Sequence, residues 1–351
     1  MLFRLIAIKK GMVVVGVFLI LIFITSCNKS KQGEVKLNVA ISPYQDIAML
    51  VNAEPLGLTH KYSIKLKCYT LAWEDILPAV ASASDDIDIG FGSLVEYLTK
   101  YNKINPKGTK DPIVFVYPLY VYLGGAFISF NNNVPSLLGT NINDKELVKK
   151  FFSFRIGAQK FSIYEMLLFS LAKRNGVAIN SLKLIDIPIN EGFLAAQSKN
   201  LDISSAGLTQ ITETKKIDGR IVLTMEDAGF ADITGFICKK STLEKKRNAI
   251  VSLIKIWFEA TAWVLSDLDK NAKNSLEYLR NNAATKYTLK QYKLALAQEF
   301  FPISIPQAKE TIASVSGRYS YLKISEDVLD YLKVVKQEKD VPLPPKLIII
   351  N

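Results

Sequence analysis

Strand-like alternation and helix-like spacing take turns along this chain. Residues 35–42 (VKLNVAIS) alternate apolar and polar positions and predict a strand. Residues 44–54 place Ile47, Leu50 and Val51 at helical spacing, and Gly57 ends that segment. Residues 64–70 predict a second strand, 73–84 a helix, and 87–91 a third strand after Asp85-Asp86. The same plan then recurs. Residues 154–159 (FRIGAQ) are strand-like, 163–174 form an amphipathic helix, 182–188 a strand, 191–198 a short helix and 201–205 a third strand. Asp86-Ile87-Asp88-Ile89-Gly90 has its counterpart in Asn200-Leu201-Asp202-Ile203-Ser204, and each unit takes roughly 50 residues from first strand to third. The pattern predicts an α/β chain of two lobes, each built on a βαβαβ unit with parallel strands.

Strand-like stretches at 113–117, 125–130 and 233–239 flank the second unit. A long helix is predicted from about 243 to 268, where Ile250, Ile254, Trp257, Thr261, Val264 and Leu268 recur at a spacing of three to four. Trp257 and Trp263 fall on it and are expected to pack in a core. Further helices are expected at 272–281, 289–299 and 326–337, and the Pro-rich end, 341–351, reads as an extended strap.

Parallel α/β sheets bind ligands at the carboxyl ends of their strands. That rule selects Ser42-Pro43-Tyr44-Gln45-Asp46, Leu71-Ala72-Trp73 and Gly92-Ser93 in the first unit. In the second it selects Gln159-Lys160-Phe161-Ser162 and Ser205-Ala206-Gly207. The ligand-binding candidates are therefore Tyr44, Trp73, Ser93, Tyr120, Phe161 and Ser162, with Tyr122 and Tyr164 nearby. Aromatic side chains there suit a flat ring or a small apolar body. Ser162 and Glu165 fit a capping box, placing a helix N-terminus at the cleft where an anionic group is favoured. Asp88 and Asp202, each entering a third strand, are expected to shape turns.

The first 27 residues change the picture of location. Arg4, Lys9 and Lys10 precede an apolar run, 11–23, that ends in Ile24-Thr25-Ser26-Cys27. This order resembles a bacterial lipoprotein signal, in which the cysteine is lipidated and becomes the new N-terminus. Residues 1–27 are then a signal ending at Cys27, and 28–34 a tether. The alternative is an uncleaved N-terminal anchor helix. Both export the domain.

The 351 residues leave about 320 after such processing, more than one core usually serves. The charge of +11 falls to about +8 once Arg4, Lys9 and Lys10 are removed. The lysines are scattered, without the dense basic stripe that nucleic acid needs. Cys68 and Cys238 lie in strand-like runs and are expected to be buried free thiols. A single histidine, His60, and no Cys-x-x-Cys motif leave little for a transition metal, and neither a Ser/His/Asp set nor a phosphate-binding glycine loop is present. No catalytic residue, metal or cofactor is expected.

Several segments together resemble the substrate-binding lipoproteins of ABC importers in the nitrate/taurine/sulfonate and thiamine-pyrimidine (NMT1/THI5-like) group. They are the opening strand and loop 37–44, residues 76–92 (ILPAVASASDDIDIGFG), residues 154–162 (FRIGAQKFS), residues 194–205, and the returning strand and helix 234–262. The resemblance spans about residues 35 to 300. It implies a type II periplasmic-binding-protein fold. Lobe 1 would comprise 35–125 and 234–351, lobe 2 would comprise 126–233, and two crossover strands would form the hinge near 125–130 and 234–238. It also implies a small-molecule ligand, anionic or heteroaromatic, an ABC permease as partner, a lipid anchor at Cys27 and an extracytoplasmic location. A sensory or surface binding lipoprotein, or an enzyme on the same fold, is the alternative. Ser205-Ala206-Gly207-Leu208 stands where the family often carries an acidic and aromatic pair, so the resemblance leaves the substrate open.

Overall fold

The computed structural model describes residues 34–82, 86–178, 182–283 and 287–350, apart from the side chain of Thr209. Cys27, the signal-like segment before it, the tether up to Gly33, and Asp85 lie outside the described residues.

Two mixed sheets carry the chain. The strands of the first are β1 (Val35–Ile41), β2 (Ile64–Thr70), β3 (Ile89–Ser93), β4 (Ile113–Tyr122), β10 (Asp232–Lys239) and β11 (Glu299–Phe300). Their order is β11-β4-β10-β3-β1-β2. The second holds β5 (Ala126–Ser129), β6 (Ile156–Gly157), β7 (Leu184–Ile185), β8 (Ile203–Ala206) and β9 (Arg220–Thr224), in the order β7-β6-β8-β5-β9. Read from β2 and from β7, the two orders match over five strands, and β11 extends the first sheet by one. In each, parallel strands run second, first, third. An antiparallel strand from across the chain then follows, β10 in one sheet and β5 in the other. The main chain crosses between sheets twice, from β4 to β5 and from β9 to β10.

Burial explains the strand choices. From Leu37 to Ile41 every residue of β1 is buried, as is all of β3, so both are core strands covered on two faces. A Cβ on Gly90 of β3 would come within 2.6 Å of Ile76 Cγ2, so the absent side chain lets the helix α1 (Trp73–Ala81) lie close to the strand. Strand β2 is an edge, and only Ile64 of its residues is buried.

The repeat read from sequence has a shared hydrogen-bond basis. Asp88 Oδ2 accepts from Asn38 N at 2.9 Å, while Asp88 N donates to Asn38 O. In the second lobe Asp202 Oδ2 accepts from Arg155 N at 3.0 Å, while Asp202 N donates to Arg155 O. Each aspartate thus clamps the entry of the third strand to the entry of the first. Lys246 pairs with Asp88, and Arg155 Nε with Asp202.

The remaining helices used below are α2 (Leu94–Thr99), α3 (Ile163–Arg174), α4 (Ile189–Gln197), α5 (Leu208–Thr214), α6 (Arg247–Ser266) and α7 (Tyr321–Val334). Helix α6 is long and apolar enough to span a membrane by composition, but Ile250, Leu253, Ile254 and Trp257 are fully buried on the first sheet. Trp257 meets Phe91 edge-on at 5.3 Å between ring centroids. Helix α7 packs against α2 and against α3, where Tyr331 meets Phe169 at 5.2 Å and Asp330 pairs with Lys173. One continuous apolar core joins these three helices.

Several expectations need correction. The stretch 44–54 is a 3-10 helix, Ile47–Asn52, opened by Asp46, whose Oδ1 accepts from Ile47 N. The long helix breaks at Lys246, giving Lys240–Lys245 and then α6. Cys238 is buried, but Cys68 is exposed, because it lies on edge strand β2. The two cannot bridge: three strand spacings, roughly 14 Å, separate β2 from β10.

The clamps are testable. Removing the Asp202 carboxylate in Asp202→Ala should cost about 1.5–3 kcal/mol at neutral pH, the usual loss for charged hydrogen bonds. Burial alone would raise its pKa, yet the bonds from Arg155 and Asn131 outweigh burial and hold it below the usual carboxylate value. Its contribution is therefore complete above the unfolded value of about 3.9 and disappears as pH falls through the lower folded value. Urea denaturation should show the gap between wild type and variant closing in acid.

Candidate functional site

The loops selected by the strand-end rule line the two lobes' facing edges. After β1, Ser42 Oγ donates to Leu71 O at 3.0 Å, fastening the β1 loop to the end of β2. Tyr44 projects from that loop, 45% exposed. Trp73 opens α1, and its ring stands 6.3 Å from that of Tyr44 at an angle of 55°. The pair forms an open aromatic corner. Below it, Trp73, Gly92, Ser93 and Glu96 line, with core residues such as Leu77 and Phe91, a narrow recess with room for about one water molecule.

Ser93 ends β3 and caps α2, accepting from Glu96 N at 3.0 Å. Its hydroxyl also bonds the carboxylate of Asp232, which enters from the first residue of β10. Asp232 is 3% exposed and accepts from Val95 N and Ile233 N. Burial pushes its pKa up to about 7 despite those donors.

Tyr120 lies beneath the β1 loop, 1% exposed, stacked between Trp257 and Phe301. Its hydroxyl donates to Asp46 Oδ2 at 2.5 Å. Beside Asp46 lies Glu299, whose Oε1 accepts from Gln45 Nε2 at 2.9 Å. Burial, then the Asp46 charge, pushes Glu299 well above the ordinary carboxylate range.

In the second lobe, Phe161 takes a positive φ of 61°. Ser162 caps α3, donating to Gln159 O at 2.6 Å and accepting from Glu165 N at 3.5 Å. The capping box is offset by one residue: Glu165 Oε2 accepts from Phe161 N at 2.6 Å. Lys336 follows α7 and stands 3.6 Å from Glu165 and 4.1 Å above the Phe161 ring. Thr99 Oγ1 of α2 donates to Phe161 O at 3.4 Å, so the lobes touch here. Tyr164 donates to Ala206 O at 3.2 Å and shares a hydrogen bond with Tyr122.

The structure thus brings Tyr44 and Trp73 to one edge and Phe161 and Ser162 to the other, while Ser93 is buried just below the first edge with its hydroxyl held by Glu96 N and Asp232. Tyr120 stands under that edge, not on it. Sequence reasoning missed Asp232 and Glu299, which arrive on β10 and β11 from far along the chain without a local signal. Asp46 was visible as a polar residue next to Tyr44.

The matched sheet orders, with one antiparallel exchange strand in each, decide the architecture. It is the periplasmic-binding-protein fold. The structure superposes on the periplasmic aliphatic sulphonate binding protein SsuA from Escherichia coli with a TM-score of 0.64, at 14% identity, covering 89% of this chain and 96% of that one. A Candida albicans gene product with the generic periplasmic binding protein fold aligns with a TM-score of 0.60, at 15% identity over 88% and 92% of the two chains. The periplasmic nitrate-binding protein NrtA from Synechocystis aligns with a TM-score of 0.51, at 16% identity over 74% and 69%. No protein-family model matches the sequence, and no curated protein does.

In this fold Asp232 stands where β10 enters the first lobe. Its raised pKa means the folded state binds a proton that the unfolded state has released between about pH 4 and about pH 7. Asp232 therefore contributes stability in acid that is lost as pH rises through about 7. Asp232→Asn keeps an acceptor for the two amides and should flatten that decline. Urea midpoints for both proteins from pH 5 to 8 check it.

Proposed function

We propose that the protein is an extracytoplasmic solute-binding protein. It captures a small molecule between two lobes, 35–125 with 234–351 and 126–233, and delivers it to an ABC permease. The observation that carries this reading is the aromatic corner of Tyr44 and Trp73, at the carboxyl ends of β1 and β2 on the edge turned to the second lobe. The bound molecule lies with its ring or apolar body on that corner, and Ser93, Phe161 and Ser162 complete the contacts. Closure is a shift toward the state in which both lobes touch the ligand. Cys27, as a lipidated N-terminus, keeps the cleft near the bilayer where a permease receives the ligand, and two or more acyl chains make that anchorage stable. The protein's role is capture, not catalysis. The fold comparisons support this reading, since the similar structures include sulphonate- and nitrate-binding proteins.

A thermal-shift screen over alkyl- and arylsulfonates, taurine, nitrate, thiamine and hydroxymethylpyrimidines should raise the melting temperature with at least one ligand class. Trp73→Ala should then weaken that ligand by about tenfold or more, which is about 1.4 kcal/mol. Unchanged affinity would move the site elsewhere. The anchor is checked separately: metabolic labelling with palmitate should mark the wild type and not Cys27→Ser.

A further inference from the structure

The charges around the aromatic corner say which ligands the cleft favours; this rests on the reading of the cleft as a ligand site. Glu96 lines the recess beneath Trp73, its side chain 24% exposed. Its partner is Lys100 at 3.3 Å, a half-buried pair one helical turn apart. Asp46 is buried behind Tyr44, whereas Asp232, buried behind Ser93, keeps its proton up to about pH 7 and adds little charge. The Tyr44 phenol registers this field. Its pKa is raised first by burial and then by Glu74, Asp46 and Glu96, all three carboxylates.

The second lobe offers little to offset them. The first turn of α3 faces its own Glu165, which already accepts from Phe161 N. Lys336 is held between Glu165 and the Phe161 ring, and Lys160 stands 3.9 Å from Asp186. Arg155 is spent on Asp202, Arg174 on Ala228 O and Arg220 on Asn131 O. An anion entering the corner would give up its water and meet carboxylates and the negative faces of two rings. A cation meets the same groups as partners, since ring faces attract positive charge most strongly when water is excluded. The exposed ring pair and the carboxylates behind it are separate features that favour the same sign.

We propose that the cleft selects an organic cation, an ammonium or a positively charged nitrogen heterocycle on a small apolar or aromatic body. The body lies on Tyr44 and Trp73, with the charge toward Glu96.

The test uses the full chain in detergent and isothermal titration with pairs of probes that share a body and differ in sign. Phenyltrimethylammonium is matched against benzenesulfonate, and ethylammonium against ethanesulfonate. The cation of a pair should bind at least about tenfold tighter than the anion, a difference of about 1.4 kcal/mol. Glu96→Gln should weaken the cation severalfold while leaving the melting temperature of the free protein near that of the wild type. Tighter binding of the sulfonates, abolished by Trp73→Ala, would overturn the charge assignment and leave the cleft reading standing. Cation binding indifferent to Glu96→Gln would also overturn it. Binding of either sign that ignores Trp73→Ala, or no binding by any probe, would overturn the cleft reading and this inference together.

Discussion

Strand β10 lies between β3 and β4, antiparallel to both, with Asp232 through Cys238 buried. It arrives from the far lobe, and its first residue carries the carboxylate that reaches Ser93 and the amide of Val95. That insertion fixes the end of β3, hence the start of α2 and the wall of the recess that holds Glu96. Without β10, the first sheet would end at β3 with an open edge, and the corner of Tyr44 and Trp73 would have no floor. Strand β5 does the same for the second sheet, beside β8. The exchange of one strand in each direction makes two similar units a single device, since every movement of one lobe acts on a strand built into the other.

Helix α7 adds a second tie. It packs on α2 of one lobe and α3 of the other, and Lys336 just beyond it binds Glu165 beside the Phe161 loop. The lobes are thus joined at the crossing strands and along this helix. In the proposed closure these joints are the pivots, and the Tyr44–Trp73 corner and the Gln159–Ser162 loop approach each other. Hinge motions of this kind turn small contacts at a ligand into larger displacements at the lobe tips.

Much of this was legible in the residues themselves. The alternation in 35–42 and the apolar face of 163–174 gave β1 and α3 closely, because local periodicity decides those elements. The paired Asp88 and Asp202 segments revealed the repeat, and the structure supplies its cause in matching amide clamps. The strand-end rule selected Tyr44, Trp73 and Ser93, and the structure has them at the ends of β1, β2 and β3. It could not find Asp232 or Glu299, whose place comes from strands that pair across more than a hundred residues. Nor could spacing alone place Tyr120: alternation along β4 gives it a side of the sheet, while Trp257 and Phe301 from later in the chain decide that the side is core. Cys68 misled for a related reason, since an apolar run on an edge strand need not be covered.

The central claim is that two lobes joined by exchanged strands close on a small ligand at the aromatic corner. Leu194 on the second lobe and Leu294 on the first are both exposed, at 61% and 56%. Spin labels at Leu194→Cys and Leu294→Cys, with Cys27 and Cys68 replaced by serine, report the distance between lobes by double electron–electron resonance. Saturating ligand should shift and narrow the distance distribution, and at a ligand concentration near the wild-type Kd, Trp73→Ala should move the distribution back toward that of the free protein. A distribution unchanged by a ligand that binds tightly would contradict the account.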